Sequence, residues 1–276
     1  MLLSEKHIKQ FACFYLLCFL INYGWFWFNG LLFSSVNPVF FLNRLDLTRN
    51  ILMLGNLQHF IINYQWLRVC LDVTYLVLPV ILTIAVVVNF KGNAIIAFCT
   101  IAFTLVYAIF FSAFTYISIE GYISWILVPL ILSARTTKGF YYYLHAIRIL
   151  FILFFVSAAI AKIRSGVIFN TEQMAAILLK QHNIYLVSNP DDWFTKSINF
   201  IVEHKAIGYI FFVCGTIAEL LFAICFFTRR FDGYLIWVFC IFLAGDLFLM
   251  RINYFTWMVF MGCFYYSSFS LQEERQ

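Results

Sequence analysis

Charge is what this sequence has least of: 18 Lys and Arg against 13 Asp and Glu, 11% of 276 residues. A soluble domain averages about a quarter charged residues and is roughly half apolar. Here 64% of the chain is hydrophobic and 21% aromatic, with a mean hydropathy of +0.90. So little polar surface excludes a fold that faces water all round, and the composition is that of a polytopic membrane protein. The net charge of +5 is then no sign of nucleic-acid binding, because the placement of Lys and Arg matters more than their sum. Any Cys-x-x-C pair is also missing. The eight cysteines (Cys13, Cys18, Cys70, Cys99, Cys214, Cys225, Cys240, Cys263) fall almost all in apolar runs. They read as small buried hydrophobes rather than as a disulfide or metal framework. No small-x-small cleavage site follows the run Phe11–Phe33, which is too long and too Trp-rich for a signal peptide and reads as a retained first span. No internal repeat and no linker is visible, so a single domain over residues 1–276 is expected.

What the chain has in abundance is long apolar runs. At roughly 20 residues per crossing, about eight spans are expected: Phe11–Leu32, Cys70–Phe90, Ala94–Ser118, Tyr122–Ala134, Phe140–Ala161, Ala206–Thr228, Gly233–Met250 and Asn253–Phe269. The fourth is short and carries Pro129, which predicts a kink or a re-entrant segment. The expected fold is therefore an all-α bundle of about eight transmembrane helices. With the N-terminus inside, Lys6, Lys9, Lys91, Arg135, Lys138, Arg229, Arg230 and Arg275 collect on the inner side, whereas the short outer connections hold only Arg251. That bias predicts both termini in the cytoplasm.

The two long connections then share the outer face. Ser34–Val69 contains "LDLTRNILMLGNLQHFIINYQWLRV", apolar and polar by turns at near-helical spacing, and predicts an interfacial helix. Arg164–Lys205 has a helix start at Asn170–Thr171–Glu172, the apolar run "QMAAILLKQH", a turn at "SNPDDW" and a second helical stretch, "FTKSINFIVEH". Two amphipathic segments above a bundle would form a lid or vestibule. Asp191, Asp192 and Trp193 read as a polar turn at an aromatic belt.

An ionisable residue inside a span is costly, so it is paired, faces a cavity or is functional. Arg148, Glu219 and Asp246 lie inside expected spans, with His145 near the inner end of the fifth. With each span centred on one midplane, Arg148 lies roughly 6 Å and Glu219 roughly 3 Å to the inner side. That predicts an Arg148–Glu219 ion pair joining two helices. Lys162, in the stretch "FVSAAIAKIRSG", lies roughly 15 Å outward and Asp246 roughly 8 Å outward. The flexible lysine stem puts them within reach of each other. Arg148 and Lys162 are just under four turns apart and nearly on one face, so a single polar seam is expected to run up the bundle. Taken alone, a lysine at a helix end is an ordinary snorkelling anchor.

In order along the chain come Arg148, "FFVSAAIAKI", "TEQMAAILLKQH", "GTIAELLFAICFFTRR", "FCIFLAGDLFLMRINYF" and a last aromatic-rich run. By that order and spacing, Tyr141–Ser267 resembles the membrane region of vitamin K-dependent gamma-carboxylase and its bacterial relatives. These form the horizontally transferred transmembrane (HTTM) family, which takes in SdpB-like proteins associated with maturation of exported antimicrobial peptides. The resemblance implies a bacterial cytoplasmic-membrane protein. It also implies that Lys162 is a base in chemistry linked to a quinone-like lipid, with Asp246 as its partner. The family's histidine falls on Leu243 here, and the large lumenal domain of the carboxylase has no counterpart, so full gamma-carboxylation is not expected. Two functions stay open: maturation or handling of an exported peptide at the outer face, and a non-catalytic scaffold, accessory or immunity subunit of a larger complex. A transporter is the weaker third, because no inverted repeat or paired broken helices are visible.

Overall fold

The structure, a computed structural model, describes residues 3–36, 55–114, 119–267 and 269. The described residues form helices and turns with no strand. The α-helices in order are α1 (Leu3–Phe28), α2 (Leu57–Asn63), α3 (Gln65–Val87), α4 (Asn93–Phe114), α5 (Ile123–Leu132), α6 (Thr137–Arg164), α7 (Gln173–Ser188), α8 (Trp193–Glu203), α9 (Lys205–Leu221), α10 (Ile224–Phe227), α11 (Asp232–Gly245) and α12 (Val259–Ser267). Among the described residues six stretches are long and apolar enough to cross a membrane: Glu5–Phe28, Gln65–Val87, Asn93–Ser112, Thr137–Arg164, Lys205–Phe227 and Asp232–Met250. Large apolar side chains such as Phe98, Ile95, Trp237 and Ile241 stand exposed along them. Water does not tolerate that much apolar surface, and a lipid bilayer does.

The expected fourth and eighth spans differ. α5 has 10 residues, about 15 Å of helix against a hydrocarbon core of about 30 Å. α12 has 9 residues and follows a short 3-10 turn at Phe255–Met258. Hydropathy counts apolar residues and is blind to where a helix breaks, so both runs passed as spans. Of the first outer segment, residues 37–54 lie outside the described residues; its later part forms α2 and the first turn of α3. The second outer segment forms α7 and α8. Asn170 Oδ1 accepts the Glu172 N–H at 3.0 Å just before α7, and α8 starts directly after Asp192, which accepts the Tyr185 hydroxyl at 2.8 Å. α8 buries Phe194, Ile198 and Ile201 at helical spacing against Met174 and Leu178 of α7. On the exposed side, Lys205 is paired with Glu172; that hydrogen bond and the ammonium charge hold the Glu172 carboxyl below its ordinary range.

Contacts cluster into two compact units, the first comprising residues 1–147 and 255–266 and the second residues 148–254 and 267–276. No composition shift marks the divide, which falls inside α6, between Tyr254 and Phe255, and before the last residue of α12. In the first unit α3 packs against α1 and α4, and α4 against α5. Its core is aromatic: Tyr15 and Phe19 of α1, Tyr75 of α3, Tyr107 and Phe111 of α4, Tyr122, and Trp125 of α5 are all buried. The buried stripe of α3 runs Asp72, Tyr75, Pro79, Leu82, Val86, the spacing of one helix face. Gly262 of α12 lies so close to α1 that an added Cβ would come within 2.9 Å of Phe14. In the second unit α9 packs against α7, α8 and α11.

Helix ends follow local chemistry. α3 closes with Asn89 at φ 56°, its N–H bonded to Val86 O and that of Phe90 to Ala85 O, the paired bonds of a left-handed C-terminal cap. α6 ends where Gly166 takes φ 74° and donates to Ile163 O. Nothing would obstruct a Cβ there, so only the backbone penalty opposes a side chain. Gly166→Val is expected to cost about 1–2 kcal/mol. A lowered thermal midpoint of the purified protein, with Gly166→Asn lying between valine and wild type, checks it; an unchanged valine variant counts against this cap.

Candidate functional site

The intramembrane charges of the second unit resolve into two pairs, and neither is Arg148–Glu219. Arg148 is 1% exposed and binds Asp232 through Nε at 2.7 Å and Nη2 at 2.5 Å. Nη2 also donates to Cys225 O at 2.7 Å, and Ser267 Oγ donates to Asp232 Oδ2 at 3.1 Å. Asp232 is the first residue of α11, where the helix dipole favours a carboxylate. A pair so fully bonded and closed to solvent is structural.

Glu219 instead binds Lys162. Lys162 Nζ donates to both carboxylate oxygens, at 2.7 and 2.8 Å, and lies 5.6 Å from the Phe212 ring, two turns before Glu219 on the same face of α9. The physical reason for the exchange is helix offset. Glu219 is about 21 Å along α9 from Lys205, while Lys162 lies in the last turn of α6. The two meet because α9 starts well past the end of α6, its early turns packed on α7 and α8. Reckoning each span from a common midplane therefore misplaced Glu219. Asp232 was missed for a simpler reason: the expected span began one residue later, at Gly233.

Nor is there one polar seam. Between Arg148 and Lys162 the same face of α6 carries Phe151, Phe155 and Ala159, all buried. The two phenylalanines pack edge-on and tilted against Phe222 and Phe239 at ring separations of 4.7 to 5.8 Å. An aromatic block thus insulates the sealed lower pair from Lys162, whose side chain is 30% exposed.

Asp246 does not pair with Lys162. It makes no hydrogen bond or ion pair with a described residue, yet it is half-buried and lies within electrostatic reach of both Lys162 and Glu219. At Asp246 the α-helix widens into a π-helical turn, Asp246–Met250, a form found mostly as single turns and often at functional sites. The carbonyls freed at its end are taken up by α7: Gln181 Nε2 donates to Met250 O at 2.6 Å and His182 Nε2 lies 2.9 Å from Leu249 O. A carbonyl only accepts, so that ring nitrogen carries the proton. Arg251 follows at φ 52°, its guanidinium 4.1 Å from the Tyr185 ring and 3.8 Å from that of Phe194. Sequence reading placed Arg251 in an outer connection and gave Gln181 and His182 no role; their partners are backbone carbonyls, which leave no signature in side-chain chemistry.

The site is therefore one ammonium held by one carboxylate, with a second carboxylate close by and unbonded. Lys162 has a third N–H, and its exposure leaves that donor for a ligand. Among the described residues no group of three or more His, Cys, Asp or Glu side chains is placed to hold a metal ion. Comparison with family models, with curated proteins and with solved structures gives no match to this chain.

The two pairs differ in what removing a partner does. Asp232→Asn leaves a sealed guanidinium uncompensated and is expected to cost about 3–5 kcal/mol. Glu219→Gln frees an ammonium that can reach a polar boundary, at about 1–2 kcal/mol. Membrane accumulation and thermal midpoints of the two variants check this; equal losses would contradict the assignment of the sealed pair.

Proposed function

We propose that this chain is a multi-pass protein of the bacterial cytoplasmic membrane, with both termini inside, that handles or matures an exported peptide at the outer face. The observation that carries this reading is the Lys162–Glu219–Asp246 cluster. One cation faces two carboxylates, so with all three ionised the half-exposed site holds a surplus negative charge. It suits a cationic group, such as a peptide amino terminus or a basic side chain, better than an anionic one.

The cluster also redistributes the roles. With Nζ donating to both oxygens of Glu219, Lys162 serves as a positioning group rather than a free base. The unbonded carboxylate, Asp246, is the proton acceptor, and the π-helical turn held by Gln181 and His182 aims it. A quinone-like lipid, the cofactor that HTTM kinship would bring, could meet only the third N–H of Lys162 among these groups, and no step is assigned to it. The Glu219 clamp also supports the second reading, in which Lys162 only ties α6 to α9 within a non-catalytic scaffold or accessory subunit.

Exported peptides from cells carrying wild type, Lys162→Met or Asp246→Asn distinguish the two. The expected outcome for Asp246→Asn is loss of a processed peptide by roughly 10²-fold or more in mass spectra of the medium, at unchanged membrane level. Lys162→Met should weaken the same product. An unaltered peptide profile for both variants at normal accumulation leaves the scaffold reading in place.

A further inference from the structure

The first unit contains a second concentration of polar chemistry, remote in sequence from the charge cluster. Six side-chain atoms in its aromatic core have no hydrogen-bond partner among the described residues: Tyr15 Oη, Asn22 Oδ1, Tyr75 Oη, Tyr122 Oη, Ser124 Oγ and Trp125 Nε1. Their residues are at most 2% exposed. They come from α1, α3, α5 and the turn before α5, and ring contacts that run through Phe19 link Tyr15, Trp125, Tyr75 and Tyr122. The Tyr15 ring lies 5.9 Å from that of Trp125, and the Tyr75 ring 6.1 Å from that of Tyr122. The Tyr75 hydroxyl is within electrostatic reach of those of Tyr122, Tyr15 and Tyr23, and Tyr122 is within reach of Asp72.

Packing does not account for them. Phenylalanine fills the same space without burying a hydroxyl, and it is the chain's default aromatic, 35 residues against 16 tyrosines. A buried hydroxyl without a partner is penalised. Inside hydrocarbon there is no bulk water to relieve the penalty. The Tyr75 hydroxyl is within electrostatic reach of those of Tyr15 and Tyr122 yet is bonded to neither, and a bridging water would satisfy both sides. A water needs two to four polar partners, and the cluster supplies hydroxyls able to donate or accept and an indole donor.

We propose that the first unit holds an intramembrane water-binding site formed by Tyr15, Tyr75, Tyr122 and Trp125. Its waters lead to Asp72. That carboxylate is 3% exposed and has no cation bonded to it among the described residues. It accepts the Tyr107 hydroxyl at 2.6 Å and the backbone N–H groups of Phe33 and Ser34 at 3.2 and 2.8 Å. Tyr107 stacks flat on Tyr75, with ring centroids 4.3 Å apart, and so stands between the hydrated cluster and the carboxylate. The waters put a buried acid in proton exchange with a hydrogen-bonded chain rather than leaving it sealed in an aromatic core.

Radiolytic hydroxyl-radical footprinting of the full chain in lipid nanodiscs tests this, because buried side chains are modified where ordered water touches them. After normalisation to the denatured chain, Tyr75, Tyr122 and Trp125 should be labelled several-fold above Phe19 and Phe111, which are equally buried in the same core. A second measurement separates water from an empty orphan by sign. Tyr122→Phe should lower the thermal midpoint if the hydroxyl holds a bridging water, whereas deleting an unpartnered hydroxyl leaves the midpoint equal or raises it. Labelling at the phenylalanine level, or a Tyr122→Phe midpoint at or above wild type, overturns the proposal.

Discussion

A guanidinium cannot sit inside hydrocarbon without a counter-charge, and the bond between Arg148 and Asp232 is how this chain meets that demand. The arginine belongs to the middle of α6 and the aspartate to the first turn of α11, so the pair links residues far apart in sequence within the second unit. The carbonyl of Cys225 and the hydroxyl of Ser267 join the pair, drawing in α10 and the last residue of α12. Desolvating two charges is expensive, and the cost is offset only when every donor and acceptor is matched. Because this pair is so completely matched it has no chemistry left to offer.

Lys162 and Glu219 follow the same rule of pairing with a different outcome. Their pair stands at the far end of the aromatic block formed by Phe151, Phe155, Phe222 and Phe239, where Lys162 remains partly exposed. Close by, α11 gives way to a π-helical turn whose last carbonyls are held by Gln181 and His182 of α7. Irregular backbone at membrane depth persists only where protein groups satisfy it. α7 is thus part of the site, since without it the turn that carries Asp246 would lose its partners. In the first unit the balance is reversed: neutral hydroxyls and a single buried acid, Asp72, stand where the second unit has ion pairs.

Much of the helical framework was legible because hydropathy over a long window is a direct record of partition into lipid. The observed spans Gln65–Val87 and Asp232–Met250 lie within a few residues of the expected ones. The two short helices were not legible, because α5 and α12 owe their ends to turns at Ser133 and at Phe255–Met258 rather than to a loss of apolar character. Arg148, Lys162, Glu219 and Asp246 were legible as costly charges, but their pairing was not. Helices in one bundle need not be centred on one plane, and the start of α9 beyond the end of α6 brought Glu219 to Lys162 rather than to Arg148. A span boundary set one residue late removed Asp232 from consideration, and Asp72 was passed over inside an otherwise apolar run.

The sequence by itself determined the solvent and the secondary structure: with 11% charged residues the chain must place most of its surface in lipid, where only helices satisfy their own backbone along these runs. It also determined which residues must find partners. Which partner each one found was decided by the tertiary structure alone, because pairing depends on the axial offset and rotation of neighbouring helices. Those are set by how α7, α8 and the phenylalanines of α6 pack, and no spacing along the chain encodes them.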